Sequence, residues 1–142
     1  MTLNSAGLQI VYDFGVPKTI SGKAREAISG GELVFTSGAN NVVSSGANSF
    51  DPETDLLFAT AASGTNYVGI ALAQAGSNDD VTVAREGVFL ITANGTVTAS
   101  TPVIVDGNHS VADFTEGTNF PVGRALTSAA SGGFALIHLG GL

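Results

Sequence analysis

Short runs of apolar residues recur along the whole chain, separated by clusters of Gly, Ser, Thr, Asn and Asp. Within the runs, apolar positions alternate with polar ones or follow one another directly, which is typical of β-strands with one or both faces buried. Such short strands with turn signals between them predict an all-β fold, a compact β-barrel-like or β-sandwich domain. We expect at most one short helix, over residues 23–29, which Gly30-Gly31 would end. The predicted strands lie at 8–12, 32–36, 56–60, 66–73, 81–84, 87–93, 101–106, 120–127 and 133–139.

Turn residues between these runs predict where some strands begin and end. Asn94-Gly95 lies between two apolar stretches, and both residue types tolerate positive φ, so the pair predicts a two-residue type I′ hairpin. Pro102 has no amide hydrogen, and we expect it to open a strand or to lie on an edge strand. Asp106-Gly107 then ends that strand.

At 142 residues the chain is of the usual size for one domain. We divide it into an N-terminal arm or first strand over residues 1–25 and a single β domain over residues 26–142. Residues 36–55 are rich in Gly, Ser and Asn, which lose much entropy when ordered and bury little, so we expect a flexible loop there. The alternate acids within 51–55 leave a calcium site as a less favoured alternative, because the central Gly and distal Glu of an EF-hand are missing.

A weak internal repeat relates two parts of the sequence. Residues 67–87 align without gaps on residues 121–141, at an offset of 54 positions, although chance is an open alternative. In both copies a Gly-x-Ala segment leads through small residues into a new apolar run, and a third Gly-x-Ala begins at Gly22. A genuine repeat predicts one β-unit used twice in a closed or pseudo-symmetric sheet. The matched pairs include Val68/Val122, Gly69/Gly123, Ala71/Ala125 and Leu72/Leu126.

The charge distribution excludes several classes of partner. Residues 1–25 carry a net charge of +2, whereas residues 26–142 carry −9, for a total of −7. An acidic body without a clustered basic face argues against nucleic acid and against an anionic membrane as partners. Only 12% of the residues are charged, which suggests that part of the surface is covered by copies of the chain or by another partner. Neither a signal peptide nor a long apolar span is evident, so we expect synthesis in the host cytoplasm.

The residues that could carry chemistry are few, and we predict no enzyme, no cofactor and no metal site. There is no Cys, and the two His residues, His109 and His138, lie outside any nucleophile motif. A hydrolase that uses His109 with Asp106 and Asp113 stays open as a minor alternative. So do a small-ligand-binding β-barrel and a fibre or adhesin β module. Asn94 and Asn108 begin glycosylation sequons, which matter only in a host that glycosylates the protein.

Four segments carry, in order, a combination of Gly, Ala and Val motifs. They are AISGGELV (27–34), VGIALAQAGSNDDVTVAREGVF (68–89), TASTPVIVDGNHSV (98–111) and PVGRALTSAASGGFALIHL (121–139). In this order they resemble the small capsid decoration, or cement, proteins of tailed bacteriophages and related archaeal head-tailed viruses. The resemblance covers roughly residues 20–139, and its individual motifs are weak, so their order carries it.

This resemblance implies a compact β subunit, usually a homotrimer, with no active site. Such a subunit would bind the outer surface of an icosahedral capsid and stabilise contacts between subunits of the major capsid protein. It implies a place on the exterior of the virion and an anchoring N-terminal arm. The candidate capsid-contact residues of that arm are Lys18, Lys23 and Arg25.

Overall fold

The computed structural model describes residues 10–12, 18–37, 56–60, 66–117 and 120–140. Within these ranges the protein forms eleven β-strands and no helix, which confirms the predicted all-β class. The strands are β1 (Ile10–Tyr12), β2 (Thr19–Ala24), β3 (Leu33–Thr36), β4 (Leu57–Ala59), β5 (Tyr67–Ala71), β6 (Asp80–Ala84), β7 (Gly87–Ala93), β8 (Pro102–Val105), β9 (Ser110–Asp113), β10 (Gly123–Ala125) and β11 (Phe134–Leu139).

The strands form two five-stranded barrels of the same topology. Barrel 1 closes in the order β2-β4-β3-β5-β6, with β2 and β4 parallel and the other neighbours antiparallel. Barrel 2 has the order β7-β9-β8-β10-β11, again with a single parallel pair, β7 and β9, and β1 adds a short antiparallel strand beside β7. Each strand of barrel 1 therefore has a counterpart five strands later in the chain.

The equivalence extends to the loops, because four connections share one nine-residue geometry. Each begins at an Ala that ends a strand, forms a bridge four residues later and enters the next strand nine residues later. The seventh residue after each Ala has positive φ, and its amide donates to the carbonyl of the Ala that begins the paired connection. We call these connections the links, and they begin at Ala24, Ala71, Ala93 and Ala125.

The sequence repeat at offset 54 is one part of this symmetry and is confirmed, because it superimposes β5-link-β6 on β10-link-β11. Its Gly positions have a direct cause. A Cβ on Gly69 would lie 2.3 Å from the carbonyl oxygen of Ala84, and a Cβ on Gly123 would lie 2.4 Å from that of His138. At both positions the neighbouring strand approaches so closely that a side chain does not fit.

Side chains fill the interiors of both barrels. Barrel 1 encloses a small buried cluster that includes Val34, Phe58 and Val83. Barrel 2 encloses a larger one, and Leu33, Ile70 and Ala84 of barrel 1 belong to that larger cluster. Because neighbouring strand residues point to opposite faces, Leu33 packs toward barrel 2 while Val34 fills barrel 1. The three residues form one cross-strand row, which explains why these strands are apolar on both faces.

Most predicted strands are confirmed, but the structure corrects two local predictions and adds two strands. Asn94-Gly95 does not form a type I′ hairpin, because only Gly95 has positive φ and the residues after it make a single bridge, Val97 to Ala129. No helix forms over residues 23–29, since Ala24 ends β2 and Ile28 makes the equivalent bridge in its link. The strands β2 and β9 are missing from the predicted set, and Pro102 opens β8 as expected.

The predicted flexible loop over residues 36–55 and the acids within 51–55 fall almost wholly outside the described residues. Of the proposed arm, residues 10–12 and 18–25 are described. Thr19–Ala24 forms β2, which closes barrel 1 between β4 and β6.

Candidate interaction surfaces

The three basic residues proposed as a capsid contact lie along β2 and its two flanks. Lys18 precedes the strand, Lys23 lies near its end and Arg25 follows it. Lys18 and Arg25 are seven residues apart on extended chain, which corresponds to about 20 Å, so the structure does not gather the three side chains into one cluster.

Each of the three also has a partner within the chain. Lys18 contacts the carboxylate of Glu86 at 2.8 Å, and Lys23 contacts that of Asp80 at 2.9 Å. The hydrogen bond from Lys18 is the largest cause of a lowered pKa at Glu86. Arg25 donates to the hydroxyl of Ser37 at 2.8 Å. The basic segment is therefore partly neutralised, although the Lys18 side chain is 75% exposed.

The residues of the hydrolase alternative do not form a catalytic arrangement. Both oxygens of Asp113 are engaged: they accept hydrogen bonds from the amide and hydroxyl of Thr98, at 2.8 and 2.7 Å, and from the hydroxyl of Thr101 at 2.9 Å. Burial raises the pKa of Asp113, but these hydrogen bonds together outweigh it and hold the pKa below its usual value. Asp113 therefore ties the link after β7 to β9, and the side chains of Asp106 and His109 are exposed to solvent.

A cleft of about 350 Å³ separates the link after β2 from the outer side of β7. Ser29, Gly30, Gly31 and Glu32 line one wall, and Leu90, Ile91, Thr92 and His109 line the rest. The carboxylate of Glu32 accepts a hydrogen bond from the amide of Ser29 at 2.8 Å, so it closes its own turn. The cleft lies at the junction between the barrels, and buried apolar side chains fill the interiors of both barrels.

The outer side of barrel 2 carries apolar side chains that the fold itself does not bury. Phe134 is 47% exposed and Leu126 is 46% exposed. Leu136 and Leu90 are half-buried and lie opposite each other on β11 and β7. We call these four residues the apolar face.

Two kinds of site are absent from the part of the chain that the structure describes. No group of three or more His, Asp or Glu side chains is placed to hold a metal ion there. Nor do the described residues include a helix long and apolar enough to cross a membrane.

Sequence reasoning missed the apolar face because strand alternation does not say which side is inside. In β11 the residues Phe134, Leu136 and His138 alternate with Ala135, Ile137 and Leu139, and both sets are largely apolar. The structure buries the second set completely. The only signal in the sequence was the low content of charged residues.

The fold of this chain is similar to that of a solved phage protein structure. The solved structure of the head fiber gp8.5 N base of bacteriophage phi29 aligns with a TM-score of 0.61 and 11% identity, over 86% of this chain and 92% of that chain. At this identity the similarity shows a common fold. A search of curated protein sequences finds no match.

The family comparison identifies what kind of protein has this fold and sequence. Residues 18–139 match the family of phage cement proteins, a range that begins at Lys18 and includes all ten strands of the two barrels. This confirms the resemblance carried by the Gly, Ala and Val motifs. The chain belongs to the phage cement protein family and is a structural protein of the virion.

Proposed function

We propose that the protein binds the outer surface of an icosahedral capsid and stabilises contacts between subunits of the major capsid protein. The observation that carries this proposal is the family match over residues 18–139. The fold is suited to the role, because two packed barrels form a stiff body. A cement protein also gains from repetition, since many modest contacts over one shell add up.

The proposed function includes assembly as a homotrimer on the capsid exterior and the use of residues 1–25 as an anchoring arm. Lys18 and Arg25 are exposed and lie at the two ends of β2. They could therefore reach two different points on a capsid surface about 20 Å apart. Lys23 has less freedom, because it is 24% exposed and paired with Asp80.

The test uses capsids of the virus that encodes this chain, assembled without it. Purified protein is added, the capsids are sedimented and the bound protein is quantified against the major capsid protein. We expect saturable binding at a fixed ratio and a higher melting temperature of the decorated capsids. Absence of saturable binding contradicts the proposed function.

The arm is tested in the same assay with three variants. Deletion of residues 1–17 leaves all strands of the two closed barrels in place, and the double variant Lys18→Gln, Arg25→Gln keeps the full chain. Both should keep the fold and lower the occupancy at limiting concentration. Arg124→Gln is the matched control, since Arg124 is an exposed cation in β10, outside the arm. Equal occupancy for all variants contradicts the role of the arm but not the role in the capsid.

A base module for a head fibre is the second candidate function, favoured by the similarity in fold to the phi29 head fiber base. The two functions differ in whether further protein must be attached. A cement role predicts a higher melting temperature of the capsid on binding of this chain alone, whereas a role only as a fibre base does not require one. The capsid melting temperature in the experiment above therefore separates them.

A further inference from the structure

Equivalent positions on the outer sides of the two barrels carry opposite chemistry. On barrel 1, Ser21 and Thr82 lie opposite each other and share a hydrogen bond of 3.2 Å. The next outward pair is Lys23 and Asp80, which form an ion pair of 2.9 Å. Both pairs are polar and satisfied, so water can cover this surface.

On barrel 2 three of the four corresponding residues belong to the apolar face. Leu136 lies opposite Leu90, and Phe134 lies opposite Thr92, in the same register between β11 and β7. Leu126 extends the row, because its amide donates to the carbonyl of Leu136. The interior side of β11 is already filled by Ala135, Ile137 and Leu139, so the large outward side chains cannot turn inward. Exposed apolar side chains grouped on one sheet face are typical of an interaction surface.

Barrel 2 cannot use, toward another molecule, the same contact by which barrel 1 packs on it. Barrel 1 packs against barrel 2 through the row Leu33, Ile70 and Ala84. The equivalent row of barrel 2 consists of Pro102, Arg124 and His138. Barrel 2 thus presents its apolar surface one row further along, and whatever covers it does so with a contact different from the internal one.

The charge of the chain indicates what can cover this face. The chain has a net charge of −7, so two copies repel each other wherever their carboxylates meet. The apolar face contains no carboxylate, and the charged residue beside Leu126 is the exposed cation Arg124. The equivalent surface of barrel 1 carries Asp80, whose side chain is 77% exposed. The apolar face is therefore a surface on which one acidic copy can accept another.

The extent of the face agrees with the centre of such an interface. Three strands about 4.8 Å apart and six residues of about 3.3 Å each give a surface of roughly 20 by 10 Å. Stable interfaces bury about 800 Å² per partner. The apolar face is smaller than this, so the polar residues around it and the adjoining cleft, which also contains Leu90, must supply the remaining buried area. We expect reversible association at micromolar concentrations rather than an obligate complex.

We propose that the apolar face formed by Leu90, Leu126, Phe134 and Leu136 is an interface between copies of this chain. The proposal deepens the proposed function by naming the surface that holds the oligomer together, but its test needs no capsid. A failure of capsid binding and a failure of this interface are therefore separate results.

The experiment replaces the apolar face by the polar pairs that the chain already uses in barrel 1. The grafted variant carries Leu90→Ser and Leu136→Thr, together with Thr92→Lys and Phe134→Asp. Each new pair occurs in the same register in barrel 1, so the strands should pair as before. Sedimentation equilibrium across the micromolar range should show an oligomer for the unmodified chain. For the grafted variant, the dissociation constant should rise on the order of a hundredfold.

Phe120→Ser is the matched control, because Phe120 is 67% exposed and lies outside the apolar face. It should associate like the unmodified chain. Circular dichroism and urea unfolding verify that each variant is folded. If the grafted variant does not fold, Leu126→Gln alone replaces one exposed residue after β10 and should still weaken association by about tenfold.

Two results overturn the proposal. One is a monomeric unmodified chain across the whole concentration range. The other is a folded grafted variant that associates as strongly as the unmodified chain. If the graft leaves the state of the free protein unchanged but abolishes co-sedimentation with capsids, the face binds the capsid rather than a second copy.

Discussion

Barrels 1 and 2 have the same strand order and the same links, yet they fill their interiors differently. At equivalent positions, barrel 1 has Gly22 and Phe58 where barrel 2 has Ile91 and Val111. A Cβ on Gly22 would lie 2.9 Å from the ring of Phe58, so the large ring occupies the space that Ile91 takes in barrel 2. The same strand order thus accommodates either a Phe beside a Gly or an Ile beside a Val. Packing volume is conserved over the pair rather than at each position.

The same comparison explains how the two barrels divide their roles. Barrel 1 uses its outer row Leu33, Ile70 and Ala84 to pack on barrel 2. The other outward positions of β2 and β6 carry the polar pairs Ser21–Thr82 and Lys23–Asp80. Barrel 2 carries polar residues in the equivalent row and apolar ones beside it. The topology is shared, and the outward-facing residues determine what each barrel contacts.

The largest predicted effect concerns the interior of barrel 1. Phe58→Ala removes the ring that fills the space next to Gly22, and the surrounding strands cannot close it, so the free energy of unfolding should fall by about 3–5 kcal/mol. Val111→Ala, the equivalent change in barrel 2, should cost about 2 kcal/mol, because fewer carbon atoms are lost and Ile91 stays in place. Urea unfolding measures both. Phe120→Ala, at an exposed position, should change the stability by less than about 0.5 kcal/mol. Equal losses at Phe58 and Val111 contradict the difference in packing.

The next effect tests a feature that the two barrels share. Gly69→Ala and Gly123→Ala each place a Cβ within 2.4 Å of a backbone carbonyl oxygen of the neighbouring strand. The strands must separate, and we expect each change to cost about 3 kcal/mol in unfolding free energy. Gly132→Ala is the control, since a Cβ there meets nothing within 4 Å and only its φ of +87° is unfavourable. Its cost should be about 1–2 kcal/mol. Losses at Gly69 and Gly123 no larger than the loss at Gly132 would contradict close approach of the neighbouring strand as the reason for Gly at these two positions.

A third prediction compares the carboxylates that hold the links in place. Asp113 accepts hydrogen bonds from Thr98 and Thr101 in barrel 2, and Glu26 accepts from the amide and hydroxyl of Thr60 in barrel 1. The pKa of Glu26 is lowered mainly by the bond from the Thr60 amide. Asp113 is half-buried and Glu26 is exposed. We therefore expect Asp113→Asn to cost about 1–2 kcal/mol at neutral pH and Glu26→Gln less than about 0.5 kcal/mol.

The contribution of Asp113 to the unfolding free energy depends on pH. A carboxyl whose folded pKa is lowered stabilises the protein above its unfolded pKa of about 3.9, and that stability disappears as the pH falls through the folded pKa. The difference between the unmodified chain and Asp113→Asn should therefore shrink from about pH 5 downward. The urea unfolding midpoints of both proteins, measured from neutral to acidic pH, report this difference. A difference that stays constant contradicts a stabilising role for the ionised Asp113.

The fourth prediction concerns a polar group that only barrel 1 carries. Among the described residues, the buried hydroxyl of Tyr67 has no hydrogen-bond partner, and its burial raises the pKa of Tyr67. The repeat aligns Tyr67 with Pro121, which has no polar side-chain atom. Tyr67→Phe removes the unsatisfied hydroxyl and should raise the unfolding free energy by about 1 kcal/mol. A loss of stability would show that the hydroxyl has a partner in solution.

Particular residues show how far the sequence alone determines this structure. Strands with strong apolar runs, such as β7 and β11, were predictable because burial dominates their composition. The strands β2 and β9 carry Thr, Ser, Gly, Lys or Asp among their residues, and they are held by closure of the barrels, which is a long-range effect. The resemblance to cement proteins rested on ordered small residues, and the close approach at Gly69 and Gly123 explains why such residues recur.

The surfaces were less predictable than the strands. Asn94-Gly95 predicts a hairpin locally, but the paired link fixes the conformation instead, through the bridge of Val97 and the bond from the Ser100 amide to the Ala125 carbonyl. The apolar face depends on which side of β11 points inward. The interior of barrel 2 is filled by Ala135, Ile137 and Leu139, and Phe134 on the other side of the strand stays outside. Such choices depend on the closed barrel and not on the strand itself.

The smallest effect tests the links as a common design. The residue with positive φ is Gly31, Asn78, Ser100 or Gly132 in the four links, and only Asn and Gly tolerate that conformation at low cost. Ser100→Gly removes the local strain but adds freedom to the unfolded chain, so we expect a net gain of about 0.5 kcal/mol. Asn78→Gly should leave the stability nearly unchanged, because Asn already tolerates a φ of 70°. Replicate urea titrations of both variants resolve the difference. If both substitutions destabilise the protein equally, the side chains at these positions stabilise the links in a way that backbone conformation does not explain.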